Sequence, residues 1–161
     1  MKVVMVGTGY VGLVSGACFS EFGANVICID KDAEKIESLN NGHIPIYEPG
    51  LDDIVSKNLE SGLLKFTTDL ANAVKDADLI FIAVGTPSRR GDGHADLKYV
   101  YAAAEEIATN INKYTVIVNK STVPVGTAKK VKSIIKNANP DLEFDVASNP
   151  EFLREGSALR D

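Results

Sequence analysis

Met5-Val6-Gly7-Thr8-Gly9-Tyr10-Val11-Gly12, taken together with Asp30, decides how the rest of this 161-residue chain is understood. The apolar run Val3 to Val6 reads as a buried strand, and Gly7-x-Gly9-x-x-Gly12 follows at once, opening a segment of helical periodicity. In this spacing Gly7 allows a tight turn, Gly9 lets the backbone approach a pyrophosphate, and Gly12 lets the new helix pack close to the strand. Backbone N–H groups and the positive end of that helix then hold phosphates without any lysine. A second apolar run, Val26-Ile27-Cys28-Ile29, ends in Asp30, 18 positions after Gly12, where a carboxylate accepts hydrogen bonds from an adenosine ribose. The pattern predicts a dinucleotide site. The alternative, a glycine-rich strand-to-helix turn that binds nothing, has the flanking strand, helix and acidic residue against it.

Outward from this stretch, strand and helix signals alternate. Val11, Val14, Cys18 and Phe22 recur at helical spacing, with Gly23 placed to end the helix. Asp32 is a cap for a short helix carrying Ile36 and Leu39, which Asn40-Asn41-Gly42 terminates. The turn-rich loop His43 to Gly50 precedes an additional helix with Leu51, Ile54, Val55 and Leu59 on one face, closed by Gly62. A third strand spans Leu64 to Thr67, and a short helix Leu70 to Lys75. Leu79-Ile80-Phe81-Ile82-Ala83-Val84 is the most strand-like run and reads as a central buried strand.

Arg89 to His94 reads as an exposed, mobile loop whose arginines either meet a phosphate or are simply solvated. Asp96 is placed to cap a helix with Leu97, Val100, Ala104, Ile107 and Ile111 on one face. Val116 to Val118 is a fifth strand, Thr127 to Lys136 a helix, and Phe144 to Ala147 a sixth strand.

Composition fits one globular domain: 45% of residues are hydrophobic and 24% charged, and the chain is long enough for a sizeable core. A net charge of -5 argues against a general nucleic-acid or membrane surface. No run reaches the length of a membrane span, and the expected location is cytoplasmic. Cys18 and Cys28 fall in helix and strand patterns, as two small core side chains rather than a disulfide or metal site.

Short connections between alternating strands and helices imply right-handed crossovers and a Rossmann-type, doubly wound, mainly parallel α/β sheet of order 3-2-1-4-5-6. Every segment suspected of chemistry then lies at a strand's carboxyl end. These are the glycines after the first strand, Asp30 at the second, Gly85-Thr86-Pro87 after the fourth, Ser121-Thr122 after the fifth and Asn149-Pro150-Glu151 after the sixth.

Asn119-Lys120-Ser121-Thr122-Val123-Pro124-Val125-Gly126-Thr127, followed by Ser148-Asn149-Pro150-Glu151-Phe152-Leu153-Arg154-Glu155-Gly156, resembles the signature of the UDP-glucose/GDP-mannose dehydrogenase family. The opening Gly-x-Gly-Tyr-Val-Gly-Leu-Val and the loop Tyr47-Glu48-Pro49-Gly50-Leu51 match the same family, so the resemblance runs the whole length. It implies NAD-dependent oxidation of a sugar-nucleotide C6 alcohol through the aldehyde level to the carboxylate, with two NAD, one water and a cysteine thioester. Ser-Thr-Val-Pro-Val-Gly-Thr with Phe-Leu-Arg-Glu-Gly-Ser-Ala is most similar to the branch that converts UDP-glucose to UDP-glucuronate.

Carried over by this resemblance, cofactor contacts fall on Gly7, Gly9, Tyr10, Val11, Gly12, Asp30, Lys35, Thr86, Pro87, Ser121, Thr122 and Glu155. The position of Glu151 is that of an acid/base group, and that of Thr122 helps to hold a water near the reacting centre. Glu151, Phe152, Leu153, Arg154 and Glu155 are similar to part of the sugar-nucleotide contact. Asp30 at a ribose repels a 2′-phosphate and so favours NAD over NADP, although Lys31 and Lys35 stand nearby. From the residues alone, Glu151 reads equally as a helix N-terminal carboxylate after Pro150, and Thr122 as a turn hydroxyl.

Family members continue beyond this point into domains bearing a nucleophilic cysteine and an assisting lysine. The chain is therefore expected to be the amino-terminal NAD-binding part of a longer, homo-oligomeric enzyme, inactive alone. A GDP-mannose or UDP-N-acetylhexosamine dehydrogenase shares the machinery. A non-catalytic NAD-binding sensor keeps the glycine loop and Asp30 but has no need of Glu151 or Thr122.

Overall fold

Among the residues described in the computed structural model, 1–88 and 95–160, six strands pair into one sheet whose neighbours all run parallel. They are β1 (Lys2–Val6), β2 (Asn25–Ile29), β3 (Leu64–Thr67), β4 (Leu79–Ile82), β5 (Thr115–Asn119) and β6 (Phe144–Ser148), in the order β3-β2-β1-β4-β5-β6. That is the expected order. It puts the switch of winding direction between β1 and β4, whose register pairs Val6 with Ile82.

Helices cover both faces, which is why the inner strands are apolar throughout rather than alternating. One face carries α1 (Tyr10–Glu21), α2 (Ala33–Asn40) and α3 (Leu51–Glu60), packed over Val3, Met5, Val26, Cys28 and Phe81. The other carries α4 (Leu70–Val74), α5 (Lys98–Asn110) and α6 (Thr127–Ala138), packed over Val4, Val6, Ile80, Ile82 and Ile117. Burial of each such side chain contributes about 1.5–3 kcal/mol.

Four sequence expectations are corrected. Helix α1 does not bury the stripe Val11, Val14, Cys18, Phe22; it buries Gly12, Leu13, Val14, Gly16, Ala17 and Ser20, while Phe22 is the C-cap and 85% exposed. The small residues Gly12, Gly16 and Ser20 let the helix lie close to the sheet: a Cβ on Gly16 would stand 2.5 Å from the Cys28 sulfur. Cys28 is fully buried as expected, but Cys18 only partly. Strand β4 stops at Ile82, two residues short of Val84; its pairing with β5 ends in the Lys120 amide donating to the Ile82 carbonyl at 2.9 Å, and the Ser121 amide donates to the same oxygen at 3.1 Å. Asp96 lies one residue before the N-cap of α5, Leu97, and its carboxylate accepts from the Lys98 amide at 3.1 Å.

Other boundaries follow their signals. Asp32 caps α2 by accepting from the Lys35 amide, and Asp69 caps α4 by accepting from the Asn72 amide. The expected exposed loop Arg89 to His94 lies outside the described residues. No helix among the described residues is long and apolar enough to cross a membrane.

Candidate active site at the carboxyl edge of the sheet

The chain leaves β1 through Gly7, whose φ of +106° is a conformation that favours glycine. Added side-chain carbon there would stand 2.5 Å from the Ala83 carbonyl oxygen, so the turn is pressed against the chain leaving β4. Gly9 is the N-cap of α1, with no side-chain cap and no acidic residue in the first turn. Nothing lies within 4 Å of where its Cβ would be. The first turn of the helix thus carries no negative group of its own, and the approach to its backbone at Gly9 is open, as an anion held by amides requires.

Asp30 follows β2 and faces the same turn. Its Oδ2 accepts from the Thr8 amide (3.1 Å), the Thr8 hydroxyl (2.6 Å) and the Lys35 ammonium (3.1 Å), and its Oδ1 from the Asp32 amide (3.2 Å). Burial pushes the Asp30 pKa up, but the hydrogen bonds from Thr8, Asp32 and Lys35 outweigh it and hold the carboxyl below its ordinary value. Three donors crowd Oδ2, whereas Oδ1 carries one and keeps acceptor capacity for hydroxyl groups.

Two adjoining cavities run along this edge. The larger, about 400 Å³, has Gly7, Thr8, Asp30 and Lys35 at one side and Leu70, Tyr99 and Ala103 at the other. The smaller, about 220 Å³, has Tyr10, Val11, Thr86, Lys120, Ser121, Thr122 and Glu151 in its wall. Both are bounded by Gly9, Ala83, Val84 and Gly85, so the glycine turn stands between them. Thr86 and Thr122 are tied across the smaller cavity: the Thr86 hydroxyl donates to the Thr122 carbonyl at 3.0 Å. Ser121 is nearly buried and donates its hydroxyl to the Val84 carbonyl at 2.7 Å, fastening the ends of β4 and β5 together.

Glu151 is half-buried and begins no helix; its Oε2 accepts from the Leu153 amide at 2.8 Å within an irregular segment. The helix-terminus reading of this carboxylate is therefore excluded. Lys120 stands in the same wall with its ammonium donating to the Asn149 side chain at 3.1 Å. Burial pushes the Lys120 pKa down, and the charge of Glu151 opposes the shift.

The structure brings Glu151, Thr122, Thr86, Ser121, Tyr10, Val11 and Gly9 to one cavity and Gly7, Gly9, Asp30 and Lys35 to the other. Gly12 lies beneath, against Gly7. Pro87 is exposed, its carbonyl accepting from the Asp96 amide, and lines neither cavity. Phe152, Leu153, Arg154 and Glu155 also line neither: Phe152 is 86% exposed, Leu153 packs partly into the α1-side core, and Arg154 and Glu155 are on the surface. The Tyr10 hydroxyl turns away to bond Glu48 and the Gly156 amide. Sequence reasoning missed Thr8, the variable position of the fingerprint, as the group that orients Asp30. It also missed Lys120, quoted within a motif but given no role, and Glu48, which in Glu-Pro-Gly looks like an ordinary loop charge.

Comparison with known proteins gives a consistent result. The family model described as UDP-glucose/GDP-mannose dehydrogenase family, NAD binding domain, matches residues 1–161. The chain is 62% identical over 161 residues to a UDP-glucose 6-dehydrogenase of Rhizobium meliloti (strain 1021), covering 100% of this chain and 37% of that protein. It is 58% identical to the UDP-glucose 6-dehydrogenase TuaD of Bacillus subtilis (strain 168), over 99% of this chain and 35% of that one. It thus spans little more than a third of the curated relatives it matches. Among solved structures, a ternary complex of GDP-mannose dehydrogenase from Pseudomonas aeruginosa superposes with a TM-score of 0.95 at 38% identity, over 100% of this chain and 38% of that one. A UDP-glucose dehydrogenase from Pyrobaculum islandicum superposes with 0.93 at 42% identity, over 99% and 38%.

Proposed function

From its place in the UDP-glucose/GDP-mannose dehydrogenase family, to which this chain belongs, we propose that it is the NAD-holding part of an enzyme that oxidises UDP-glucose to UDP-glucuronate. The observation that carries the reading is the pair of adjoining cavities divided by the glycine turn, with Asp30 at one end and Glu151 and Thr122 at the other. UDP-glucose is preferred over GDP-mannose because the relatives at 62% and 58% identity are UDP-glucose 6-dehydrogenases. The fold itself does not discriminate, since a GDP-mannose dehydrogenase superposes as well.

The residues present fit NAD. Asp30, whose Oδ1 carries one donor, would accept from the adenosine ribose, and the amides of Gly7, Gly9 and the first turn of α1 would hold the pyrophosphate. Thr86, Ser121 and Thr122, which line the smaller cavity, would border the nicotinamide half, with Ser121 fixing the wall by its bond to Val84. Bound there, NAD supplies the hydride acceptor. Removing the C6 hydroxyl proton is the part that falls to this chain's own side chains: Glu151 accepts it, directly or through a water held by the Thr122 hydroxyl. The whole protein is assigned to the cytoplasm.

Two measurements test this. Calorimetry of the 161-residue chain is expected to show tighter binding of NAD than of NADP; equal or tighter NADP binding would mean that Lys31 and Lys35 form a 2′-phosphate site. In the protein at its natural length, Glu151→Gln is expected to lower turnover of UDP-glucose by at least about a hundredfold, with the NAD dissociation constant little changed. Unaltered turnover removes Glu151 from the chemistry, and faster turnover of another sugar nucleotide on the same panel changes the substrate.

A further inference from the structure

Residues 149–157 contain neither strand nor helix, yet they carry Glu151, whose carboxylate must be held to within a fraction of an ångström to exchange a proton efficiently. At its front the segment is fixed by the Asn149 amide donating to the Asn119 carbonyl (3.0 Å) and by Lys120 donating to the Asn149 side chain (3.1 Å). Its far end is fixed differently. The Gly156 amide donates to the Tyr10 phenol oxygen at 3.0 Å, and the Leu159 amide donates to Glu48 Oε1 at 3.2 Å. The Tyr10 hydroxyl in turn donates to Glu48 Oε2, with the Arg154 carbonyl at 3.2 Å as its second acceptor.

Glu48 is only 6% exposed, and a carboxylate in that position is tolerated because a phenol and backbone amides satisfy it. Burial pushes its pKa up, but those hydrogen bonds outweigh the effect and keep the group below the usual carboxylate range. Tyr10, its partner, is the first residue of α1, directly after Gly9, and lines the cavity that contains Glu151. The same pair of side chains therefore touches the glycine turn on one side and the segment from residue 154 to 159 on the other.

We propose that Glu48, acting through the Tyr10 hydroxyl, is a positioning residue that fixes the Glu151-bearing segment against the glycine turn and so sets the reactivity of Glu151. The proposal rests on the acid/base reading of Glu151 given above. Nothing in the chemistry requires a second carboxylate here, and a merely structural loop would not need one buried against the cofactor turn. Glu48 touches neither cavity and acts through Tyr10 and the backbone.

The test uses the protein at its natural length with Glu48→Gln, which keeps size and removes charge, and Tyr10→Phe, which removes one oxygen. For Glu48→Gln, turnover of UDP-glucose is expected to fall between about ten- and a hundredfold while the NAD dissociation constant stays within about twofold. Hydrogen exchange at the Gly156 and Leu159 amides should quicken in both variants, with the amides of β1 and β4 unchanged. The double variant should be no worse than the poorer single one, because the two side chains act as a unit. Glu48→Asp should recover part of the loss. Wild-type turnover in both single variants overturns the proposal, as does a fall in NAD affinity equal to the fall in turnover, which would make Glu48 a fold residue of the cofactor domain. If the wild type turns over no sugar nucleotide, the function proposed above fails; the exchange rates of Gly156 and Leu159 still decide whether Glu48 holds the segment.

Discussion

Two glycines of the fingerprint separate binding from folding, because the structure gives their missing side chains opposite surroundings. A Cβ on Gly12 would stand 2.0 Å from the Gly7 carbonyl oxygen and 3.0 Å from its carbon. That is roughly 1.4 Å inside ordinary contact with a backbone atom that cannot rotate away, so α1 must shift bodily or the turn must reopen. Gly12→Ala is therefore expected to cost about 3 kcal/mol of stability, at the upper end for overpacking, and NAD binding falls with it. At Gly9 a Cβ meets nothing within 4 Å, and the backbone angles of -67° and -175° suit any residue. Gly9→Ala should leave stability within about 0.5 kcal/mol of the wild type. Its methyl group nevertheless occupies the approach to the α1 amides, and the loss of one hydrogen bond to a charged phosphate, about 1.5–3 kcal/mol, weakens NAD roughly ten- to a hundredfold. Urea denaturation and calorimetric titration of the same two variants read both quantities. Wild-type NAD affinity in a stable Gly9→Ala protein would show that the phosphates do not pass over this turn, and an undiminished Gly12→Ala stability would show that α1 is not wedged there.

Thr8→Val keeps volume and removes the 2.6 Å bond that orients Asp30, so the preference for NAD over NADP should narrow by about tenfold in paired titrations; an unchanged ratio would leave the orientation to Lys35 alone. Asp30 has its folded pKa depressed, so its contribution to stability is present above the unfolded value of about 3.9 and is lost as pH falls through the folded one. The stability gap between wild type and Asp30→Asn, measured by urea denaturation, should accordingly close as pH drops below that range, and a gap that widens on acidification would contradict the hydrogen-bond pattern. Burial pushes Cys28 up to about 12 and Cys18 upward as well, so at pH 8 a thiol reagent should label neither quickly in the native protein and both in denaturant. On the same reasoning the 161-residue chain should form no NADH from UDP-glucose and NAD, and sustained formation abolished by Cys18→Ser or Cys28→Ser would require a nucleophile in this domain.

What was legible in the sequence, and what was not, divides according to how far apart the interacting residues lie along the chain. Strand order, the glycine turn and Asp30 are local patterns: apolar runs buried on two faces, glycines at fixed offsets, an acid at a strand's end. The buried face of α1 was misread because Gly12, Gly16 and Ser20 carry it, and their contribution is close approach rather than apolar area. The early end of β4 is set by where its pairing with β1 and β5 stops, at Val6 and Asn119, and no window around Ile82 contains those partners. Glu48 is the extreme case, since Tyr10 stands 38 positions away from it and Leu159 stands 111. Its surroundings, Glu-Pro-Gly in a turn-rich loop, describe the turn and say nothing of the carboxylate. Topology brings Glu151 and Thr122 together, because a parallel sheet delivers strand ends to one edge, whereas their candidate roles as acid/base group and water holder come from the family resemblance alone. The groups that would fix them in place, Glu48 and Tyr10 for the Glu151 segment and Thr8 for Asp30, are found only by asking which buried polar atoms are satisfied and by whom. In this fold the order of strands thus sets where the candidate side chains stand, while the hydrogen bonds that tie down their surroundings, those of Glu48 and Asp30, join residues far apart in the chain.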